Sequence, residues 1–347
     1  MIKRGTFGKA PAFDKLELIS QSSHYKNGKF HNISFTPTLV EGYSYWGVIY
    51  KQFFKKDKRR RPTDIIPSIK TNLHNLPTDE DVLVWFGHSS YFIKADGNNF
   101  LIDPVFSGNA SPINGTNKSF KGSDVYTVAD MPFIDFLLIT HDHYDHLDHD
   151  IIVQLKDKVG KVICGLGVGT HFEHWGYPSE KIVELDWYAD VVLDDQLRLF
   201  ATPSRHFSGR SFTRNNTLWV SYVLETSSLK LYLGGDSGYD THFADIGRLY
   251  GPFDLALLDN GQYNEAWRYI HMMPDEGLKA AEELGVKRLM PVHSGKFAMA
   301  NHAWDEPLSK ISALNNGKIP LVTPMIGEVV YLRHDQQQFK QWWKGLK

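Results

Sequence analysis

Phe136-Leu137-Leu138-Ile139-Thr140-His141-Asp142-His143-Tyr144-Asp145-His146-Leu147-Asp148 is the stretch on which the reading of this chain turns. An apolar run ends at Thr140 and passes at once into three histidines interleaved with carboxylates. On an extended backbone residues two apart share a face, so His141 and His143 can converge on one ion. A turn after them carries Asp145 and His146 to a second position nearby. Mixed imidazole and carboxylate donors are what a hydrolytic zinc or iron site uses. Asp142, Tyr144 and His149 need not be ligands and are expected to support the others or to face solvent.

Two metals need further donors, and three later segments offer them at the same kind of place, just past an apolar run. These are His206 in Ala201-Thr202-Pro203-Ser204-Arg205-His206, Asp236 in Leu233-Gly234-Gly235-Asp236, and His293 in Met290-Pro291-Val292-His293. Taken singly, each histidine could be a core residue and Gly234-Gly235-Asp236 a turn. Together they complete a set.

Outward from these segments the pattern is of short strands with helices interspersed. Strands are expected at 82–86, 91–95, 100–103, 136–139, 162–164, 197–201, 219–224, 229–233, 255–258, 288–292 and 329–332. Asp96-Gly97-Asn98-Asn99 marks a hairpin. Helices are expected at 150–156, 240–250, 274–284 and 306–314. Pro274 followed by Asp275 and Glu276 starts one of them well. Hairpins first and alternating strands and helices later suggest an α/β chain with two facing sheets and helices outside.

Composition sets the surroundings. The 347 residues carry 38 basic and 40 acidic side chains, 42% hydrophobic and 22% charged, which is a globular composition with ample core. The single cysteine, Cys164, excludes an internal disulfide framework, and with 16 histidines any transition metal must be held by imidazole and carboxylate, not thiolate. Residues 1–80 hold 14 Lys/Arg against 7 Asp/Glu (+7), so the remainder carries −9 of the net −2. The boundary divides the chain into an irregular N-terminal arm, 1–80, and a main domain, 81–347. A near-neutral chain with an acidic catalytic part argues against nucleic acid as partner. Within the arm, Lys55-Lys56-Asp57-Lys58-Arg59-Arg60-Arg61 reads either as a solvated run or as a patch for phosphate or an anionic membrane surface. No apolar stretch reaches the roughly 18 residues of a membrane span, and no apolar segment follows the basic start. A cytoplasmic location is the expectation, with peripheral membrane contact left open. The pattern carries no signal for an oligomeric state.

The chain resembles the metallo-β-lactamase-fold hydrolases, whose H-x-H-x-D-H motif is followed by a later His, Asp and His. More narrowly it is similar to the N-acylphosphatidylethanolamine-hydrolysing phospholipases D and their bacterial relatives. The likeness runs through Trp85-Phe86-Gly87-His88-Ser89-Ser90, Leu101-Ile102-Asp103-Pro104, 140–148, 203–210, 216–219, 234–239, 271–276 and 291–297, and Tyr25 to Asn32 suggests it enters the arm. The resemblance implies a four-layer αβ/βα sandwich. It implies that His141, His143 and His206 hold one zinc, that Asp145, His146 and His293 hold the other, and that Asp236 bridges them. Mn2+ or Fe2+ are alternatives to zinc. Ser294 stands where the relatives usually place an aromatic, a departure that bears on the substrate pocket.

The function so implied is a binuclear metal-dependent phosphodiesterase using a metal-bridging hydroxide, acting on a small-molecule or phospholipid substrate. The alternative is a lactonase or another carbonyl hydrolase (β-lactam, thioester) on the same two metals. A di-iron oxidase is disfavoured, since such enzymes of this fold usually carry a carboxylate where this chain has His143. Asp145 is expected to orient the hydroxide and His271 to donate to the phosphate or leaving group. Tyr263 and Arg210 are candidate substrate contacts, while His88 and Asp103 are expected to buttress ligands through hydrogen bonds.

Overall fold

The computed structural model describes residues 4–113, 115–211 and 213–347. The arm contains α1 (Asp14–Ser20), the hairpin β1 (Tyr25–Lys26) and β2 (Lys29–Phe30), and α2 (Tyr45–Phe54). A first run of elements follows: β3 (Val82–Trp85), β4 (Tyr91–Ala95), β5 (Asn98–Ile102), β6 (Ile134–Ile139), α3 (His149–Leu155), β7 (Val159–Gly165), α4 (Gly169–His174) and β8 (Ile182–Leu185). The second run is β9 (Asp190–Asp194), β10 (Leu197–Thr202), β11 (Ser221–Glu225), β12 (Lys230–Leu233), α5 (His242–Tyr250), β13 (Leu255–Asp259), α6 (Pro274–Leu284), β14 (Leu289–Val292), α7 (Glu306–Asn315) and β15 (Val329–Tyr331).

Among the described residues two large sheets form, of seven strands (β15-β3-β4-β5-β6-β7-β8) and six (β14-β13-β12-β11-β10-β9). Each begins antiparallel and turns parallel, at β5–β6 across a long loop and at β12–β13 across α5. Why the sheets stack is visible within single strands. In β6, Phe136 and Leu138 enter the core between the sheets, while Leu137 and Ile139 pack outward with Ile151, Ile152 and Phe172 of α3 and α4. In β12, Leu231 and Leu233 face inward, and Tyr232 packs outward with Phe243, Ala281 and Leu284 of α5 and α6. Period-two alternation of apolar side chains buried on both faces requires cover on both faces. Each buried leucine contributes about 1.5–3 kcal/mol. The product is the four-layer αβ/βα sandwich expected from the resemblance.

α6 forms where its start signals put it: Pro274 opens it, the Glu276 carboxylate accepts the Met273 amide at 2.9 Å, and Gly285 closes it at φ 70°. Strands β8 and β9 lay outside the expectation. β9 is an edge strand with an aspartate at each end, and its short run Val191-Val192-Leu193 contains no buried residue. Both arm helices were also missed, and α2 contains no residue that is buried among those described.

The arm is fastened by polar contacts. Arg60 donates to the carbonyls of Ala298, Met299 and Ala300, Arg61 to those of Lys118 and Ser119, and Arg59 pairs with Asp305. The arginines of the basic run therefore clamp the chain to itself. No helix among the described residues is long and apolar enough to cross a membrane.

Candidate metal centre

Every chemistry-bearing residue singled out from the strand ends emerges at one rim, where β3, β5, β6, β10, β12, β13 and β14 finish. The loop after β6 delivers His141, His143, Asp145 and His146, and the loops after β10, β12 and β14 deliver His206, Asp236 and His293. Gly235 makes the meeting of the two sheets feasible: a Cβ there would lie 2.7 Å from the Val220 carbonyl and 3.0 Å from Thr140 Cβ. Only glycine lets the Asp236 loop approach Thr140 so closely.

Three ring nitrogens converge, His143 Nδ1 lying 2.9 Å from His141 Nε2 and 3.3 Å from His206 Nε2. Tetrahedral zinc with Zn–N of 2.0–2.1 Å places its ligand nitrogens about 3.3 Å apart. His88, Asp145, His146 and His293 form a second group, with donor atoms within 4.8 Å of one another. Asp236 joins the two groups. Its Oδ2 is 3.9 Å from His141 Nε2, 3.8 Å from His206 Nε2 and 3.2 Å from His146 Nε2, and its Oδ1 is 3.1 Å from His293 Nδ1.

Supporting contacts fix the rings. Asp103 Oδ2 lies 2.7 Å from His146 Nδ1, while Asp103 also accepts from the Thr140 amide at 2.9 Å and from its hydroxyl at 2.6 Å. His206 Nδ1 donates to the Ile270 carbonyl at 2.9 Å, which leaves Nε2 as the lone-pair nitrogen. His88 Nε2 is 2.9 Å from Asp145 Oδ2, and Ser89 Oγ is 2.9 Å from His293 Nδ1. His88, Asp103 and His293 hold φ values of 56°, 43° and 65°, a sparsely populated region for residues with a side chain. Such strain gathers where the surroundings over-determine a site.

Electrostatics shows what the cluster can hold. Burial lowers His141, His143, His206 and His293, so these rings are neutral donors. Burial opposes charge on His146 as well, but Asp236, Asp145 and Asp103 outweigh it and raise this ring. Among the described residues, the ion-pair partners of Asp103, Asp145, Asp236 and Asp259 are all histidines. His146 Nε2 and His293 Nε2 are buried with no hydrogen-bond partner. A buried, carboxylate-rich cluster with orphaned imidazole nitrogens fits divalent cations well.

Above it opens a cleft of about 320 Å3 lined by His143, Asp145, His206, Asp236, His271 and His293 together with Leu39, Phe207, Gln262, Trp267, Ile270 and Met299. His271 is thus at the cleft, its Nδ1 2.7 Å from Asp259 Oδ2. Asp259 was missed from the sequence, although it too is a carboxylate closing an apolar run, Leu255-Ala256-Leu257-Leu258. Burial raises its carboxyl above the usual range. Asn32 was missed as well: from the arm it donates to the His206 carbonyl at 2.8 Å and accepts from the His206 amide at 3.1 Å.

Arg210 and Tyr263 are not brought to the cleft, which corrects their expected role as substrate contacts. Arg210 is buried and spends its guanidinium on the carbonyls of Thr6, Asp142 and Leu147. Asp142 beside it is a structural anion: burial opposes its charge, but His171, His143 and Arg210 hold it well below the usual carboxylate range. Tyr263 is also buried, its hydroxyl 3.1 Å from Glu306 and its ring stacked on His302 at 4.9 Å.

Comparison with known proteins places this geometry. A family described as "Beta-lactamase superfamily domain" matches residues 98–294. The chain is 36% identical over 315 residues to an uncharacterized protein of Mycobacterium tuberculosis, spanning 89% of this chain and 84% of that protein. It is 27% identical over 305 residues to N-acyl-phosphatidylethanolamine-hydrolyzing phospholipase D 1 of Caenorhabditis elegans, spanning 75% of this chain and 84% of that one. A solved structure of a metallo hydrolase from the archaeon Ignicoccus hospitalis shares the fold, with TM-score 0.57 and 20% identity over 75% of this chain and 99% of its own. The family match spans more than half the chain and takes in every side chain from His141 to His293, so the chain belongs to the β-lactamase superfamily domain family and is a metal-dependent hydrolase of metallo-β-lactamase fold.

Proposed function

We propose that this chain is a binuclear phosphodiesterase of the N-acylphosphatidylethanolamine phospholipase D type. His141, His143 and His206 would hold one divalent cation, Asp145, His146 and His293 the other, with Asp236 between them. Zinc suits this donor set, and Mn2+ or Fe2+ are the alternatives. When bound, the cations supply Lewis acidity and an activated water at neutral pH.

The observation that carries the phosphodiester reading is the Asp259–His271 pair. His271 stands outside the seven proposed ligands, lines the cleft, and lies 5.0 Å from the His206 ring and 5.1 Å from the His293 ring, centre to centre. Burial opposes charge on this ring but the Asp259 carboxylate at Nδ1 outweighs it and raises its pKa, so the protonated ring would donate from Nε2 to the reacting group. A donor that carries positive charge when protonated would suit an anionic phosphodiester better than a neutral lactone or β-lactam. Asp145, steadied at Oδ2 by His88, accepts a hydrogen bond from the attacking water. Leu39, Phe207, Trp267, Ile270 and Met299 give the cleft apolar walls for an acyl or alkyl group. The named activity of the C. elegans relative points the same way.

A turnover panel of an N-acylphosphatidylethanolamine, bis(p-nitrophenyl) phosphate, a homoserine lactone and a β-lactam tests the proposal. The phosphodiesters should be cleaved, with activity lost in His143→Ala. Cleavage confined to the carbonyl substrates, and lost in the same variant, would overturn it.

A further inference from the structure

α2 is a ten-residue helix whose described apolar side chains are not core. Trp46 is 81% exposed, Phe54 76% and Tyr50 52%; at i, i+4, i+8 they form one stripe along the helix. Tyr45 and Ile49 extend the same apolar surface at 60% and 43% exposure. The helix is nonetheless well started, the Ser44 hydroxyl accepting the Gly47 amide at 3.1 Å. Exposed aromatics in such a row are costly in water unless something covers them.

Charge beside the stripe says what does. Lys51 and Lys55 are exposed, their ammonium groups 5.9 Å from the Tyr43 and Tyr50 rings respectively, and exposed Lys58 follows. With Arg59, Arg60 and Arg61 engaged on the protein itself, Lys51 of the helix and Lys55 and Lys58 of the run supply outward charge beside the stripe. Tryptophan and tyrosine ringed by lysine is the composition of an element lying in a lipid headgroup layer. A second copy of this surface would oppose lysine to lysine.

The patch is also continuous with the cleft. On its other side α2 borders a groove shared with Trp267, a residue that lines the metal cleft, and the Val40 amide bonds to the Ala266 carbonyl at 2.9 Å just ahead of it.

We infer that α2 is a docking element for an anionic bilayer surface, seating the mouth of the metal cleft against the lipid. The inference rests on this surface and holds whichever ester the metals cleave. Trp46 and Tyr50 would enter the interfacial layer, and Lys51 and Lys55 would meet lipid phosphates.

Sedimentation of the full chain with vesicles tests it. The chain should pellet with equimolar phosphatidylcholine and phosphatidylglycerol, much less with phosphatidylcholine alone, and less in high salt. Lys51→Glu/Lys55→Glu should lower the partition coefficient at least about tenfold, and Trp46→Ser/Tyr50→Ser by a similar factor. Both variants should keep the parental melting temperature, metal content and turnover of a water-soluble substrate. No pelleting with anionic vesicles, or pelleting unchanged in both variants, overturns the inference. So does a solution dimer that Trp46→Ser/Tyr50→Ser dissociates, since a second copy would then be the occupant.

Discussion

The amide of His293 donates to the carbonyl of His88 at 3.0 Å, while the His88 amide donates to Ser294 at 2.9 Å and the two imidazole rings stand 4.0 Å apart. A proposed ligand of one sheet is thereby stitched to the supporting histidine of the other. Because His88 also holds Asp145, His88→Ala should weaken metal at the Asp145/His146/His293 position about 10–100-fold. Titration of bound metal against a competing chelator measures this. Unchanged affinity at both positions would remove His88 from the support of the site.

Metal content should be about two equivalents per purified chain. His206→Ala should lower it to about one, and full chelation should lower the melting temperature, since ligands that bind only the folded state stabilise it by about 2.7 kcal/mol at a hundredfold excess over Kd. Elemental analysis and calorimetry give both numbers. A chain fully active with negligible metal would refute the ligand assignment.

Asn32→Leu should cost about 1–3 kcal/mol, because it leaves the backbone N–H and carbonyl of buried His206 without their partner. It should also reduce turnover while the chain stays folded. A turnover equal to that of the parent would mean that the arm does not position His206.

His242 provides a pH signature away from the proposed ligands. Burial lowers its pKa from 6.5 to about 4, so it is neutral in the fold and takes up a proton more readily when unfolded. Its contribution is complete above pH 6.5 and is lost as pH falls from there toward 4, by at most about 3 kcal/mol. His242→Leu should therefore lose less stability than the parent between pH 7 and pH 4.5 in denaturant titrations, the other acid effects being common to both. Parallel losses would contradict this.

How much was legible in the sequence depended on whether a residue's role is local. The strand-end histidines and Asp236 could be read because each follows an apolar run that must be a buried strand. β6 and β12 announced themselves in the same way. Asp259 obeys that rule and was within reach. Arg210 could not be placed, because its partners Thr6, Asp142 and Leu147 are scattered along the chain and an arginine reads alike whether it meets substrate or carbonyls. α2 was hidden for the opposite reason: among its described side chains none is buried, so no apolar face imposes a period. β9, at a sheet edge, offers only the short run Val191-Val192-Leu193 between two aspartates and buries none of it.

The two sheets contribute unequal shares of the seven side chains: His141, His143, Asp145 and His146 follow β6, whereas His206, Asp236 and His293 follow strands of the other sheet. Neither share alone completes both triads. Severed between β8 and β9, the polypeptide would thus behave as a split reporter, silent as separate fragments and active only when they reassociate.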